Sequence, residues 1–160
     1  MATENKNLSH YDKDKIPNAK DLRFGIVVSQ WNLEITGALH QGAKDALMDC
    51  GAQPSNVLSW KVPGSFELIH GCKRMLETQK VDAVIAVGSV IRGETSHFDY
   101  VCTATALGIK DLNLAYGIPV IFCVLTDDTL QQAKDRSGGR HGNKGAEAAV
   151  AAIEMAVLGK

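Results

Sequence analysis

Short apolar runs alternate with longer segments in which apolar residues recur at helical spacing. Four of the runs are rich in β-branched residues and apolar at consecutive positions, which is typical of strands buried on both faces of a parallel sheet. These strands are predicted at 23–29, 57–62, 82–88 and 119–125. Helices are predicted around them, at 35–50, 66–76, 97–116, 129–136 and 144–158.

This alternation predicts an α/β fold, a three-layer α/β/α sandwich around a four-stranded parallel sheet. Residues 22–160 are expected to form a single domain. Residues 1–21 carry many charges and a proline at position 17, and they are expected to form a flexible N-terminal arm outside the core. That arm is either disordered or lies on a neighbouring subunit, where it adds to the sheet.

Composition narrows the class of protein. The 160 residues are 45% hydrophobic and 22% charged, which excludes a wholly disordered chain and a disulfide miniprotein. The formal net charge of -1 argues against a nucleic-acid binder. No apolar run approaches the roughly 18 residues of a membrane span, and the polar N-terminus lacks a signal sequence, so a cytoplasmic protein is expected.

The four cysteines are expected to be structural. Cys50, Cys72, Cys102 and Cys123 form no C-x-x-C pair and no cluster with zinc-ligand spacing. Each is interpreted as a small buried hydrophobe in a reducing compartment. We therefore expect no metal site.

The segment Gly88–His97 leaves a predicted strand and enters a predicted helix, at the sheet edge where α/β proteins bind ligands. Free N–H groups at such a turn suit an anion, and Thr95 and Ser96 can add hydroxyl groups. His97 has the side chain best suited to proton transfer near neutral pH. The alternatives are helix capping for the two hydroxyls and a structural role for the imidazole.

Aromatic residues collect at the same edge. Trp31 follows the first strand, Phe66 follows the second, and Phe122 lies within the fourth. An aromatic-lined slot with a few polar groups suits a flat heterocycle, whose hydroxyls Glu67 could bind. Core packing is the alternative for Phe66 and Phe122.

The strongest local charge bias lies at 134–144, where four cations oppose one carboxylate. An arginine in this glycine-rich basic stretch can clamp a phosphate, and a solvated cationic loop is the alternative.

The helix that follows the basic stretch carries only Glu147 and Glu154 as charges after Gly145. A helix that is apolar nearly all round predicts a subunit interface, with a fully intramolecular core as the alternative.

Four segments together carry a family resemblance. They are Ser29–Asn32, Val62–Glu67, Gly88–Tyr100 and Gly142–Gly145. Over residues 22–158 the chain resembles the 6,7-dimethyl-8-ribityllumazine synthase family, which makes the precursor of riboflavin. The resemblance implies a flavodoxin-like strand order and a homopentamer, with icosahedral capsids of sixty subunits in some members.

The resemblance also implies the reaction, a condensation of 5-amino-6-(D-ribitylamino)uracil with 3,4-dihydroxy-2-butanone 4-phosphate that releases phosphate and water. No cofactor is implied. His97 would transfer protons, and Arg136 would clamp the phosphate from an adjacent subunit. Glu94 would point away from that phosphate. The substrate-binding residues implied are Trp31, Asn32, Ser65, Phe66, Glu67, Ser89, Val90, Ile91, Glu94, Thr95 and, from the adjacent subunit, Phe122, Arg136 and Lys144.

Other functions remain open at this point. A non-catalytic flavin- or lumazine-binding protein would need neither His97 nor Arg136. A flavodoxin-like electron carrier would need a hydroxyl-rich phosphate loop after the first strand, which Gln30–Leu33 is not. A structural shell protein is supported only by the apolar helices.

Overall fold

Four parallel strands form the centre of the molecule. The computed structural model describes residues 7–159. The strands are β1 (Phe24–Ser29), β2 (Val57–Val62), β3 (Ala83–Ile91) and β4 (Val120–Asp127). The sheet has the order β2-β1-β3-β4, every neighbouring pair is parallel, and β2 and β4 are its edges. This arrangement confirms the predicted α/β class and the four-stranded parallel sheet.

Helices cover both faces of this sheet, as predicted. One hydrophobic cluster joins two long helices, and Ala133 of a short third helix, to the sheet face that carries Ile26 and Ile85. A second cluster joins another two helices to the face that carries Val27 and Val84. Consecutive residues of β1 and β3 therefore enter opposite cores, which explains why these strands are apolar throughout. The helices are α1 (Leu33–Asp49) and α5 (Lys144–Val157) on the first face, α2 (Leu68–Thr78) and α3 (His97–Ala115) on the second, and α4 (Leu130–Arg136) after β4.

Strand β3 extends three residues beyond its predicted end at Gly88. Ser89, Val90 and Ile91 pair in parallel register with residues 125–127 of β4. These three residues were predicted to lie after the strand, in the segment that enters the next helix. Pairing with the neighbouring strand β4, which continues to Asp127, fixes them in the sheet instead.

The stretch after α4 forms a small hairpin where an irregular interruption was predicted. Its strands are β5 (Ser137–Gly139) and β6 (Gly142–Asn143), paired antiparallel. Gly142 has a φ of 81°, in the left-handed region that favours glycine. The Asn143 side chain then accepts a hydrogen bond from the Gly145 N–H and starts α5.

The described part of the N-terminal arm lies against the rest of the chain. Ala19 is fully buried in the core, although the sequence analysis expected the core to begin at Leu22. The Leu8 N–H donates to the His141 carbonyl at 2.8 Å, and the Tyr11 hydroxyl donates to Asp49. Residues 1–6 of the arm lie outside the described residues. The flexible character of the arm and its place on a neighbouring subunit stay predictions.

Much of the surface of helix α5 is buried by other elements of the same chain. It packs against α1, β3 and β4, and its small residues are buried there. A Cβ atom built on Gly145 would lie 1.9 Å from the Leu39 carbonyl oxygen, so the two helix backbones are in direct contact. The alternative of an intramolecular core therefore holds for this face, and Met155 remains 42% exposed.

We expect His40 to make thermal stability depend on pH. The His40 Nε2 atom lies 2.8 Å from the Ser59 Oγ on the edge strand β2. Burial lowers the pKa of His40 from 6.5, and Lys44 and Lys61 lower it further, so folding favours the neutral imidazole. The resulting stabilisation is complete above about pH 6.5 and is lost as the pH falls through the lowered folded-state pKa.

Melting temperatures measured from pH 8 to pH 5 check this expectation. A His40→Gln variant is expected to lose less of its melting temperature on acidification than the original protein does. His70→Gln is the matched control, because His70 is exposed on α2. Equal acid sensitivity of the original protein and His40→Gln would contradict the assignment.

Candidate active site

A cleft opens at the carboxyl ends of β1 and β3, where the strand order reverses direction. The chain leaves β1 toward β2 on one side, whereas β3 lies on the other side. Such switch points are where open parallel sheets bind ligands. The cleft has a volume of about 860 Å³. Nine of the candidate residues line it: Trp31, Ser65, Phe66, Glu67, Ser89, Val90, Ile91, Thr95 and His97.

The loop after β1 presents Trp31 to the cleft. Trp31 is 71% exposed, while its backbone N–H donates to the Pro63 carbonyl at 3.1 Å. Asn32 adopts a left-handed conformation with a φ of 57°, and its Nδ2 donates to the Ser89 carbonyl at 3.0 Å. Asn32 does not line the cleft. Its amide thus links the β1 loop to β3 and helps to hold Trp31 in place.

Two buried hydroxyl groups lie at the cleft without partners. Ser65 Oγ and Ser89 Oγ have no hydrogen-bond partner within the described residues. The two serines are 6% and 1% exposed. Most buried polar atoms in folded proteins have a partner, so unpaired hydroxyls beside a cleft are suited to a polar ligand.

Phe66 and Glu67 form a second wall, at the start of α2. Phe66 is 55% exposed, so core packing does not account for it. Glu67 occupies the N-cap position of α2 without making a side-chain cap bond. Its carboxylate lies close to Gly64, where a Cβ would approach Glu67 Oε2 to 2.9 Å. The wall therefore combines an apolar ring with an acceptor for hydroxyl groups.

The turn between β3 and α3 carries the candidate proton-transfer group. His97 is the first residue of α3 and is exposed to the cleft. Its N–H donates to Thr95 Oγ1 at 3.5 Å, whereas the Ser96 side chain makes no cap bond. Glu94 is exposed and does not line the cleft. Capping therefore engages Thr95 only weakly and leaves its hydroxyl available.

Sequence reasoning missed one wall of the cleft. Tyr100, Val101 and Ala104 line it from the first two turns of α3. They follow His97 at spacings of three, four and seven residues, which places all four on one helix face. That spacing was visible in the sequence, but it was interpreted only as an apolar helix pattern.

Arg92 fastens the turn beside the cleft. Its Nε donates to Asp128 Oδ1 at 2.8 Å, and its Nη1 donates to Asp99 Oδ1 at 3.2 Å. The guanidinium carbon lies 4.1 Å from the ring centroid of Phe98, which lines the cleft. One side chain thus connects the ends of β3 and β4 with the first turn of α3.

The three residues expected from an adjacent subunit do not line the cleft of their own chain. Phe122 is 37% exposed on β4. Arg136 Nε lies 3.7 Å from Asp127 Oδ1, and Lys144 Nζ donates to Glu147 Oε1 at 2.6 Å. Three of the four cations of the basic stretch therefore face carboxylates, since Lys134 also pairs with Glu34 at 2.9 Å.

Three of the four cysteines are buried, as predicted, and Cys102 is half-buried. Burial raises the pKa of the Cys72 and Cys123 thiols to about 12, which keeps both protonated at neutral pH.

Within residues 7–159 no cluster of three or more His, Cys, Asp or Glu residues is arranged to bind a metal ion. None of the described helices is both long and apolar enough to cross a membrane.

Comparison with known proteins identifies the family of the chain. The family model for 6,7-dimethyl-8-ribityllumazine synthase matches residues 21–160. A protein of that name from Flavobacterium johnsoniae is 65% identical over 158 residues, covering 99% of this chain and 83% of the relative. Another from Christiangramia forsetii is 63% identical over 161 residues, covering 100% and 96%. The chain therefore belongs to the 6,7-dimethyl-8-ribityllumazine synthase family.

Proposed function

We propose that the protein is the enzyme that condenses 5-amino-6-(D-ribitylamino)uracil with 3,4-dihydroxy-2-butanone 4-phosphate in riboflavin biosynthesis. The observation that carries this assignment is the cleft at the switch point. It combines an exposed indole, two unpaired serine hydroxyls and an imidazole. Trp31 stacks on the pyrimidine, Ser65, Phe66 and Glu67 hold the ribityl chain and ring, and residues 89–91 bind the pyrimidine edge.

The chemistry asks for orientation and proton transfer. The primary amine of the pyrimidine attacks the ketone, and the carbinolamine loses water to give an imine. Loss of a proton from the neighbouring carbon expels phosphate and leaves an enol, which takes up a proton at its terminal carbon and becomes a methyl ketone. The ribitylamine nitrogen attacks this ketone, and the ring closes with loss of a second water. His97 moves protons in these steps, while Thr95 and the neighbouring N–H groups meet the phosphate. Holding both reactive substrates together supplies much of the remaining rate.

The direct test mixes the purified protein with both substrates. Lumazine absorbance and phosphate release are followed together, with each substrate omitted in turn. We expect both signals to rise at equal rates, and only when both substrates are present. Binding of the product without any turnover would instead indicate a non-catalytic lumazine-binding protein, which nothing in the described residues favours.

Arg136→Ala is expected to raise the KM for the butanone phosphate roughly tenfold, because a charge-assisted hydrogen bond contributes about 1.5–3 kcal/mol. The KM for the pyrimidine should change far less. Steady-state kinetics with each substrate varied in turn measure the difference. Arg140→Ala is the matched control, since Arg140 is exposed in the same basic stretch. Equal effects of Arg136→Ala on both substrates would contradict the assigned role.

We also propose that the site is completed by a neighbouring copy within a homopentamer, and that pentamers build the sixty-subunit capsid. An apolar stripe on α3 supports association, with Tyr100, Leu107 and Leu114 exposed by 75%, 53% and 77% at seven-residue spacing. Exposed apolar stripes of this kind are typical of interaction surfaces. Phe122, Arg136 and Lys144 would then enter the cleft of the next subunit.

Light scattering of the purified protein tests the assembly. Five chains of 17.2 kDa each give a mass of about 86 kDa, and sixty give about 1 MDa. A mass near one pentamer would refute the capsid proposal, and a monomer would refute the shared site. The cytoplasmic location stays a prediction.

A further inference from the structure

Asp127 is a buried carboxylate to which the proposed reaction gives no role. It is the last residue of β4 and is 8% exposed. Its Oδ2 has no hydrogen-bond partner within the part of the chain that the structure describes. A buried carboxylate oxygen without a partner is energetically unfavourable, so its presence at this position needs a physical explanation.

The cation that faces Asp127 is Arg136, the residue proposed to clamp phosphate. Its Nε atom lies 3.7 Å from Asp127 Oδ1, and its side chain is 32% exposed. Side chains on an α-helix lean toward the helix N-terminus. Arg136 ends α4, so its side chain returns along the helix toward the strand end that carries Asp127.

The backbone on both sides of this pair is fixed. The Asp127 carbonyl accepts the Arg92 N–H at 3.0 Å, and Asp127 pairs with Ile91 of β3. A capping box starts α4, in which Thr129 Oγ1 accepts the Gln132 N–H and Gln132 Oε1 accepts the Thr129 N–H. The carboxylate and the guanidinium are therefore held at a set separation by the sheet and by the helix start.

The guanidinium faces Asp127 with its Nε edge. Among residues 7–159 no hydrogen bond from its terminal nitrogens is found. Arginine binds phosphate with two N–H groups at once, so the orientation of its plane decides whether it can do so. Burial raises the pKa of Asp127 above its ordinary value; the Arg136 guanidinium offsets part of this rise, and the Asp128 carboxylate adds to it.

We propose that Asp127 is a positioning residue for Arg136. The carboxylate fixes the Nε edge of the guanidinium, so that the two terminal nitrogens remain directed at the phosphate of the butanone substrate. This inference rests on the proposed function, because it takes Arg136 to be the phosphate clamp. A carboxylate this close could instead compete with phosphate for the guanidinium. Positioning would strengthen phosphate binding, whereas competition would weaken it.

Asp127→Asn shows whether Asp127 strengthens or weakens phosphate binding, since asparagine keeps the size of the side chain and removes its charge. We expect the KM for the butanone phosphate and the inhibition constant of inorganic phosphate both to rise about fivefold. The KM for the pyrimidine and kcat should stay within twofold. Glu34→Gln is the matched control. Glu34 lies on α1 and pairs with Lys134, which shares α4 with Arg136, so the variant removes an ion pair of α4 without changing the contact of Arg136. Lower values for phosphate would overturn the proposal and identify Asp127 as a competitor.

The double variant Asp127→Asn/Arg136→Ala separates positioning from a general structural effect. In the Arg136→Ala background, Asp127→Asn should leave the KM for the butanone phosphate unchanged. An equal rise in both backgrounds would show that Asp127 acts independently of Arg136 and would overturn the proposal. Asp127→Ser is the second variant if the asparagine protein does not fold, and the same rise for phosphate is expected of it.

Binding of inorganic phosphate, measured by titration calorimetry, makes this test independent of turnover. Weaker binding to Asp127→Asn supports the positioning role even if the original protein makes no lumazine, in which case only the proposed function fails. Lumazine formation with phosphate affinity unmoved by Asp127→Asn overturns the positioning role and leaves the proposed function standing. No binding of phosphate to the original protein overturns the positioning role as well.

Discussion

Replacing His97 with alanine is expected to slow turnover on the order of 10²-fold, the lower range for losing a general acid–base group. His97 faces the cleft from the first turn of α3. Imine formation, phosphate elimination and ring closure each move a proton, and among residues 7–159 no other imidazole lines the cleft. Alanine removes the proton carrier while the helix start remains, because the hydrogen bond to Thr95 uses the His97 backbone N–H.

The kinetic pattern distinguishes proton transfer from binding. kcat should fall while the KM of each substrate changes little, because the ring stacking at Trp31 and the hydroxyls of Ser65 and Ser89 are untouched. His70→Ala is the matched control, with an exposed imidazole on α2 outside the cleft. Residual turnover is expected because the substrates are reactive. An unchanged kcat would make His97 a structural residue.

The sheet could be predicted from the sequence because burial on both faces leaves a strong pattern. Phe24–Ser29 is buried at every position, and its run of β-branched residues indicates this directly. The end of β3 could not be predicted, because a serine at position 89 is read locally as a strand end. Pairing with β4 over residues 89–91 is a long-range property that no local pattern contains.

Part of the candidate site followed from a topological rule. Ligands lie beyond the carboxyl ends of parallel strands, and this rule together with side-chain chemistry pointed to Trp31, Phe66 and His97. The family resemblance supplied Ser65, Val90 and other substrate-binding residues. The wall formed by Tyr100 and Ala104 was missed because helical residues that line a cleft have the same spacing as residues that line a core. Only the three-dimensional structure shows whether other residues pack against such a helix face or whether it lines a cleft.

Residues that act through partners were the hardest to predict. Asn32 was expected to contact substrate, which stays a prediction; its amide also donates to the Ser89 carbonyl and links two strands that are far apart in sequence. Arg136 was expected to clamp phosphate, and its pairing with Asp127 was not predicted. The sequence indicates which side chains carry chemistry, whereas the partner of each one depends on the fold.

Replacing Gly145 with alanine is expected to destabilise the fold by about 3 kcal/mol or more, at the upper end of the range for overpacking. A Cβ at this position would lie 1.9 Å from the Leu39 carbonyl oxygen and 2.8 Å from its carbon. These atoms belong to the backbone of α1, so no side-chain rotation relieves the contact. Helix α5 must move away from α1, which opens the core on that face of the sheet.

Gly37→Ala provides the matched control on α1. Among residues 7–159, no heavy atom beyond the neighbouring residues and backbone of α1 itself lies within 4 Å of a Cβ built at Gly37, and alanine in a helix interior is favoured over glycine by roughly 0.5–1 kcal/mol. Thermal melting at one fixed protein concentration should therefore show Gly37→Ala at or above the original protein and Gly145→Ala well below it. The concentration is fixed because association also stabilises the folded chain. If Gly145→Ala melted together with Gly37→Ala, the α1–α5 contact could not be the close backbone packing described above.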